Sequence, residues 1–162
     1  GEGDRGGPRQ MTLRLGNRSV SRLRRPAAES AKRLTISTVR VRYAETDQMG
    51  VVYYANYLIW FEVGRTDWLR ETGWTYRSME EEGLQLPVIE AQCEYRQGAK
   101  YDDDLEIRTR GRQLSPVRIQ FDYEVIRRAD AAVLATGHTV HATVDRSGRP
   151  VRMPDRVKEL FA

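Results

Sequence analysis

The sequence predicts an α+β fold, an antiparallel sheet wrapped around one long central helix, on three observations. One segment, about 52–72, repeats its apolar residues at helical spacing and is apolar on more than one face. Several other segments alternate apolar and polar residues with the period of two that marks a half-buried strand. Between the later strands lie short turn signals, so they form an antiparallel meander.

Taken in order, Val39, Val41 and Tyr43 alternate with Arg40 and Arg42, which predicts a strand over 36–45. The segment Asp47–Gly50 breaks it with turn chemistry, Gly50 being free to adopt φ > 0. A helix follows, with Asn56 as a candidate N-cap and a start near Val52 equally defensible. Leu58, Phe61, Arg65, Trp68, Leu69 and Thr72 trace its i, i+3, i+4 stripe. Ile59, Trp60 and Val63 widen the apolar surface, so a broad element such as a curved sheet should bury it. Gly73 is a helix stop, and a short acidic helix is expected over 78–82.

Strands are then predicted over 86–95, with Pro87 at the start where a missing N–H is tolerated, and over 105–113. The clearest alternation is Val117, Ile119, Phe121, Tyr123 and Val125 against Arg118, Gln120, Asp122 and Glu124. A last strand, about 131–145, follows the turn at 128–130. Ser147-Gly148 turns the chain, and Pro154 opens a short helix through Leu160. A single sheet over one helix leaves a face and edges unprotected, and a homo-oligomer is the expected remedy.

The 162-residue length suits one domain. Residues 1–33 hold nine basic and three acidic side chains; against a whole-chain charge of +4, the remainder is therefore about −2. The positive charge belongs to an Arg-, Ser- and Gly-rich extension expected to be disordered, and residues 34–162 form the folded domain. An extended or mis-assigned start, with Met11 as an internal candidate, accounts for this extension better than a transit peptide of weak periodicity. No apolar run reaches the roughly 18 residues of a membrane span. The single cysteine, Cys93, rules out an internal disulfide framework and a Cys-based zinc cluster, which suits a reducing, cytoplasmic setting.

Familiar catalytic chemistries are mostly excluded. His138 and His141 are three apart on one predicted strand, so they face opposite ways and cannot share a metal. No phosphate loop or dinucleotide-binding turn is present. The acidic runs at 80–82 and 102–104 lack the ligand spacing of a calcium loop and read as solvated surface. Asp47 remains. An aspartate in a turn is usually a turn former, but this one lies ahead of a helix whose first N–H groups could hold a developing oxyanion while the carboxylate acts on a carbonyl or on water.

The stretch VRYAETDQMGVVYYANYLIWFEVGRTDWLRETG resembles the signature of the hotdog-fold acyl-CoA thioesterases of the 4-hydroxybenzoyl-CoA thioesterase type, in which T-D-x-x-G-x-V-x-x-x-x-Y opens the central helix. It reads here as Thr46, Asp47, Gly50, Val52 and Tyr57. The stretch GHTVHATVDRSGRPVRMP is similar to that family's last strand and Arg-Pro turn, and the resemblance spans about residues 36–160. It implies a hotdog fold, an acyl-CoA substrate, no metal or cofactor, and active sites at the interface of a homodimer or homotetramer. It further implies Asp47 as the catalytic carboxylate and Tyr54 as the residue whose backbone N–H polarises the thioester carbonyl. Asn56 and Tyr57 would shape the acyl pocket or cap the helix, with Gly50 and Val52 beside the substrate.

Family members that bind coenzyme A often carry a basic cluster for its phosphates. Here the corresponding strand entry, QLSPVRIQ, offers only Arg118, with Arg112 and Lys100 as further candidates. A carrier-protein thioester is therefore an alternative substrate, and a non-catalytic acyl-CoA-binding domain an alternative function. Glu62 is expected to pair with Arg65 or Arg70 along the helix surface. Nucleic-acid binding is not expected, because the domain is slightly acidic and the extension lacks interleaved aromatic residues.

Overall fold

The structure, a computed structural model, describes residues 33–162. The basic extension assigned to 1–33 thus lies outside the described residues except for Arg33, whose carbonyl accepts the Trp68 Nε1–H at 3.2 Å. Five strands, β1 (Leu34–Arg40), β2 (Val88–Tyr95), β3 (Asp104–Ser115), β4 (Arg118–Arg127) and β5 (Ala132–Ala142), form one sheet in the order β1-β3-β4-β5-β2. Every neighbouring pair is antiparallel. Helix α1 (Asn56–Thr72) lies across the inner face, α2 (Tyr76–Glu81) follows it, and α3 (Asp155–Lys158) with a 3-10 turn (Glu159–Phe161) closes one end.

The period-two reading of the meander holds in register. Leu105, Ile107 and Thr109 of β3 and Ile119, Phe121, Tyr123 and Val125 of β4 are buried together beneath α1. The Phe61 ring stacks on Tyr123 at 4.2 Å, and Trp68 meets Phe121 edge-on at 5.4 Å. Such contacts add to the burial of aromatic area. Gly64 brings the helix down onto Thr109 and Ile107 so closely that a side chain there would collide with both.

Two boundaries and two buried faces differ from expectation for identifiable reasons. The first strand ends at Arg40, and Tyr43 enters a 3-10 turn (Tyr43–Glu45) where it is exposed instead of joining Val39 and Val41 on one face. Its buried face is formed by Thr35 and Ser37, whose hydroxyls donate to Glu71 and Asp67 of α1, each at 2.6 Å. The short helix starts at Tyr76 because the Thr75 hydroxyl caps it by accepting the Ser78 N–H. The buried face of α1 is Tyr57, Trp60, Phe61, Gly64, Trp68 and Leu69, while Leu58, Ile59 and Val63 face outward.

Strand β2 pairs only with β5, and both of its faces are open, including Val88, Ile89 and Tyr95. Among the described residues, no helix is long and apolar enough to cross a membrane.

Candidate active site

Asp47 occupies the first position of a tight turn. The Gly50 N–H donates to the Asp47 carbonyl at 3.0 Å, and the Asp47 N–H donates to the Val51 carbonyl at 2.9 Å. Gly50 has φ 80, which a residue with a Cβ adopts only with strain. Asp47 is half-buried, and its Oδ1 accepts the Met49 N–H at 2.8 Å. That single bond holds the side chain while the second oxygen takes no hydrogen bond from any described residue.

The returning limb of the loop runs into α1. The N–H of Tyr53 donates to the Glu45 carbonyl at 2.8 Å, and the Asn56 N–H donates to the Tyr53 carbonyl at 3.0 Å. The carbonyls of residues 53–55 are thus engaged by the N–H groups of Asn56, Tyr57 and Leu58. Among the described residues, no acceptor takes the N–H of Tyr54 or of Ala55. Two unengaged donors at the entrance of a 17-residue helix form a local positive pole. The bond from Tyr53 to Glu45 draws the two limbs together, so Asp47 stands two residues beyond it on one side and Tyr54 one residue beyond it on the other.

Within one chain the other expected site residues have the following surroundings. Asn56 is the first residue of α1, not its N-cap; the cap position is Ala55, and the Asn56 side chain donates to the Glu45 carbonyl at 3.0 Å. Tyr57 is 2% exposed, and its hydroxyl accepts the Ala99 N–H at 3.0 Å, so within one chain it is a core strut beneath the loop. Val52 is likewise a core residue, its N–H donating to the Ala99 carbonyl. Arg118 lies at the β3–β4 hairpin, the opposite end of the sheet from the Asp47 loop, which packs near Ala99 and Asp103. Within one chain Arg118 and Arg112 are remote from Asp47, and Lys100 lies at the near end.

Glu62 pairs with neither expected partner. Arg65 donates to the Tyr76 hydroxyl at 3.1 Å, and Arg70 pairs with Asp67 at 2.8 Å. His138 and His141 do face opposite ways. His138 meets Glu90 at 2.8 Å on the outer face, whereas His141 is fully buried. Sequence reasoning passed over Glu45, whose carboxylate is buried between Arg42 and Trp60. The only available signal was an acid two residues before Asp47.

Comparison with known proteins agrees with this architecture. The family model of the thioesterase-like superfamily matches residues 41–161. The acyl-CoA thioesterase YbgC of Haemophilus influenzae is 35% identical over 125 residues, covering 76% of this chain and 90% of that protein. The solved structure of a hypothetical protein, AQ1494, from Aquifex aeolicus superposes with a TM-score of 0.73 at 33% identity, covering 79% of this chain and 99% of that one. A DHNA-CoA thioesterase of Staphylococcus aureus gives 0.69 at 32% identity, covering 74% and 80%. With the loop, the wrapped helix and the sheet order all in place, the chain belongs to the thioesterase-like superfamily and has its hotdog fold.

Proposed function

We propose that the protein hydrolyses acyl-CoA thioesters to a carboxylic acid and free coenzyme A, with Asp47 as the acting carboxylate and the Tyr54 N–H as the carbonyl-polarising donor. The observation that carries this reading is the pairing, across one stapled loop, of a singly held carboxylate with unengaged N–H groups at a helix entrance. The YbgC relative is named for the same reaction.

In the reaction, oxygen is added to the thioester carbonyl, the negative charge on the carbonyl oxygen rises toward the Tyr54 N–H, and the C–S bond breaks. A thiolate of pKa about 8.5 departs without strong acid assistance, which is why so sparse a site suffices. Asp47 either takes a proton from the attacking water or attacks the carbonyl itself to form an anhydride that water then opens. Both routes deliver one proton to the solvent or to the thiolate.

A second copy of the chain would cover the open strand β2 and the outward Leu58 and Ile59 of α1, and a homodimer or homotetramer is part of this reading. Any contact of Arg118 with coenzyme A phosphates near Asp47 would then have to come from another copy. The lone thiol of Cys93 suits a reducing cytoplasm.

Release of free thiol from short, long and aromatic acyl-CoAs by wild type and Asp47→Asn tests the proposal. Turnover that vanishes in a folded Asp47→Asn supports it. Full turnover by that variant removes Asp47 from the chemistry. Inactivity of folded wild type on every thioester would redirect the reading to carrier-protein substrates or to ligand binding without turnover.

A further inference from the structure

Glu45 is the only carboxylate among the buried described residues, 6% exposed, and all its polar atoms are engaged. Its Oε1 accepts the Arg42 N–H at 2.8 Å and lies 3.4 Å from the Arg42 Nε, and its Oε2 accepts the Trp60 Nε1–H at 3.2 Å. Its N–H donates to the Arg42 carbonyl, and its own carbonyl receives both Tyr53 and Asn56. These partners precede the Asp47 loop on one side and follow it on the other.

A buried carboxylate is unfavourable unless its bonds repay desolvation. The donor set explains why an acid is used here: the Arg42 N–H and the Trp60 Nε1–H reach opposite oxygens of the carboxylate, and an amide offers an acceptor at only one of those two places. A turn staple alone could be built from main-chain bonds such as the Asp47–Val51 pair already present. What the carboxylate adds is a tie from the strand side of the loop to Trp60, one helical turn inside α1, past the Tyr54 N–H.

We propose that Glu45 is a positioning residue for thioester hydrolysis, fixing the separation of the Asp47 carboxylate from the Tyr54 N–H. This rests on the function proposed above. A displacement of about 1 Å between reacting groups lowers rate by up to about a hundredfold without weakening ground-state binding. In Glu45→Gln one amide NH2 faces a donor, so the clamp opens on one side.

The test compares wild type, Glu45→Gln, Trp60→Phe and Asp47→Asn as full chains. It uses the acyl-CoA that wild type turns over fastest, a non-hydrolysable thioether analogue for calorimetry, and thermal denaturation. Glu45→Gln is expected to lower kcat about 10- to 100-fold with the analogue's Kd within about twofold of wild type, and Trp60→Phe to lower kcat in the same way but less. A kcat within about twofold of wild type in folded Glu45→Gln overturns the proposal. So does a parallel loss of kcat and analogue binding in both clamp variants with a large drop in Tm, the mark of a purely structural staple. Should Glu45→Gln fail to fold, Trp60→Phe decides on the same two readouts. Full turnover by Asp47→Asn is a distinct result: it overturns the catalytic assignment itself.

Discussion

The Tyr95 hydroxyl donates to the Tyr54 carbonyl at 2.9 Å, so the last residue of the edge strand β2 holds the peptide that leads into α1. The Tyr95 ring also stands edge-on to Tyr54 and Tyr57, at 6.3 and 5.1 Å. Tyr95→Phe keeps both ring contacts and removes one hydrogen bond, worth about 1 kcal/mol. It should lower kcat about fivefold at nearly unchanged KM, because only the entrance peptide is loosened; steady-state kinetics would show it.

Gly50 tests whether the Asp47 turn needs its glycine for conformation or for space. Its φ is 80, and no atom lies within 4 Å of the point a Cβ would occupy, so only the backbone opposes a side chain. Gly50→Ala should therefore lose about 1 kcal/mol, Gly50→Asn less, and a β-branched Gly50→Val more. That order in urea denaturation is the expected outcome; equal losses would point to a steric cause.

At Gly64 two effects oppose each other. In an exposed helix Gly→Ala stabilises by about 1 kcal/mol, but a Cβ here would meet Thr109 Oγ1 at 2.2 Å and Ile107 at 3.0 Å. Thr109 and Ile107 are fully buried and branched, so neither can yield freely. Overpacking, about 1–3 kcal/mol, should win. Gly64→Ala is expected to lower Tm despite its better helix propensity.

Buried His141 gives the stability a specific acid dependence. Its Nδ1 faces the Leu86 carbonyl at 3.0 Å, which can only accept, so that nitrogen carries the proton. Nε2 then accepts from Thr139 at 2.8 Å, and Thr139 accepts from Tyr123 at 2.6 Å. Burial lowers the His141 pKa to about 4, with the Arg65 charge acting in the same direction. A depressed histidine favours the fold fully above its unfolded pKa of about 6.5, and that advantage is lost as pH falls toward 4. The loss should be about 3 kcal/mol across that window. Unfolding free energies from pH 7 to 4.5 should fall more steeply for wild type than for His141→Gln, the subtraction removing carboxylates such as Asp130 and Asp145.

The meander and the helix were legible because their apolar periods are local and Gly50 and Gly73 mark their ends. The inner face of β1 was not, since Thr35 and Ser37 are buried only because Glu71 and Asp67 of α1 accept their hydroxyls. The bond that the Tyr57 hydroxyl accepts from the Ala99 N–H was not legible either, because that partner lies 42 residues away. The break in alternation marks the acid-bearing turn at Asp47 but carries no sign of the buried Glu45, whose donors are assembled by the 3-10 turn and the first turns of α1 together. Where a side chain's role depends on a distant donor, spacing carries no trace of it.

The open edge yields the last prediction. Ile89 is 48% exposed on β2, and Ile59 is 54% exposed on α1. Unpaired strand edges and large apolar side chains left in water are both resolved by a partner surface. Within one chain, Tyr54, whose N–H is proposed to bind the oxyanion, is itself 60% exposed, so solvent reaches this residue unless something covers it. Water at that point would weaken every electrostatic interaction with the transition state. A second copy placed on β2 would cover it. On the proposed homodimer or homotetramer, Ile89→Asp and Ile59→Asp are expected to shift sedimentation toward monomer, with kcat falling as the monomer fraction rises and recovering at high protein concentration. Fully active monomers would separate the chemistry from assembly and leave the exposed edge without a catalytic role.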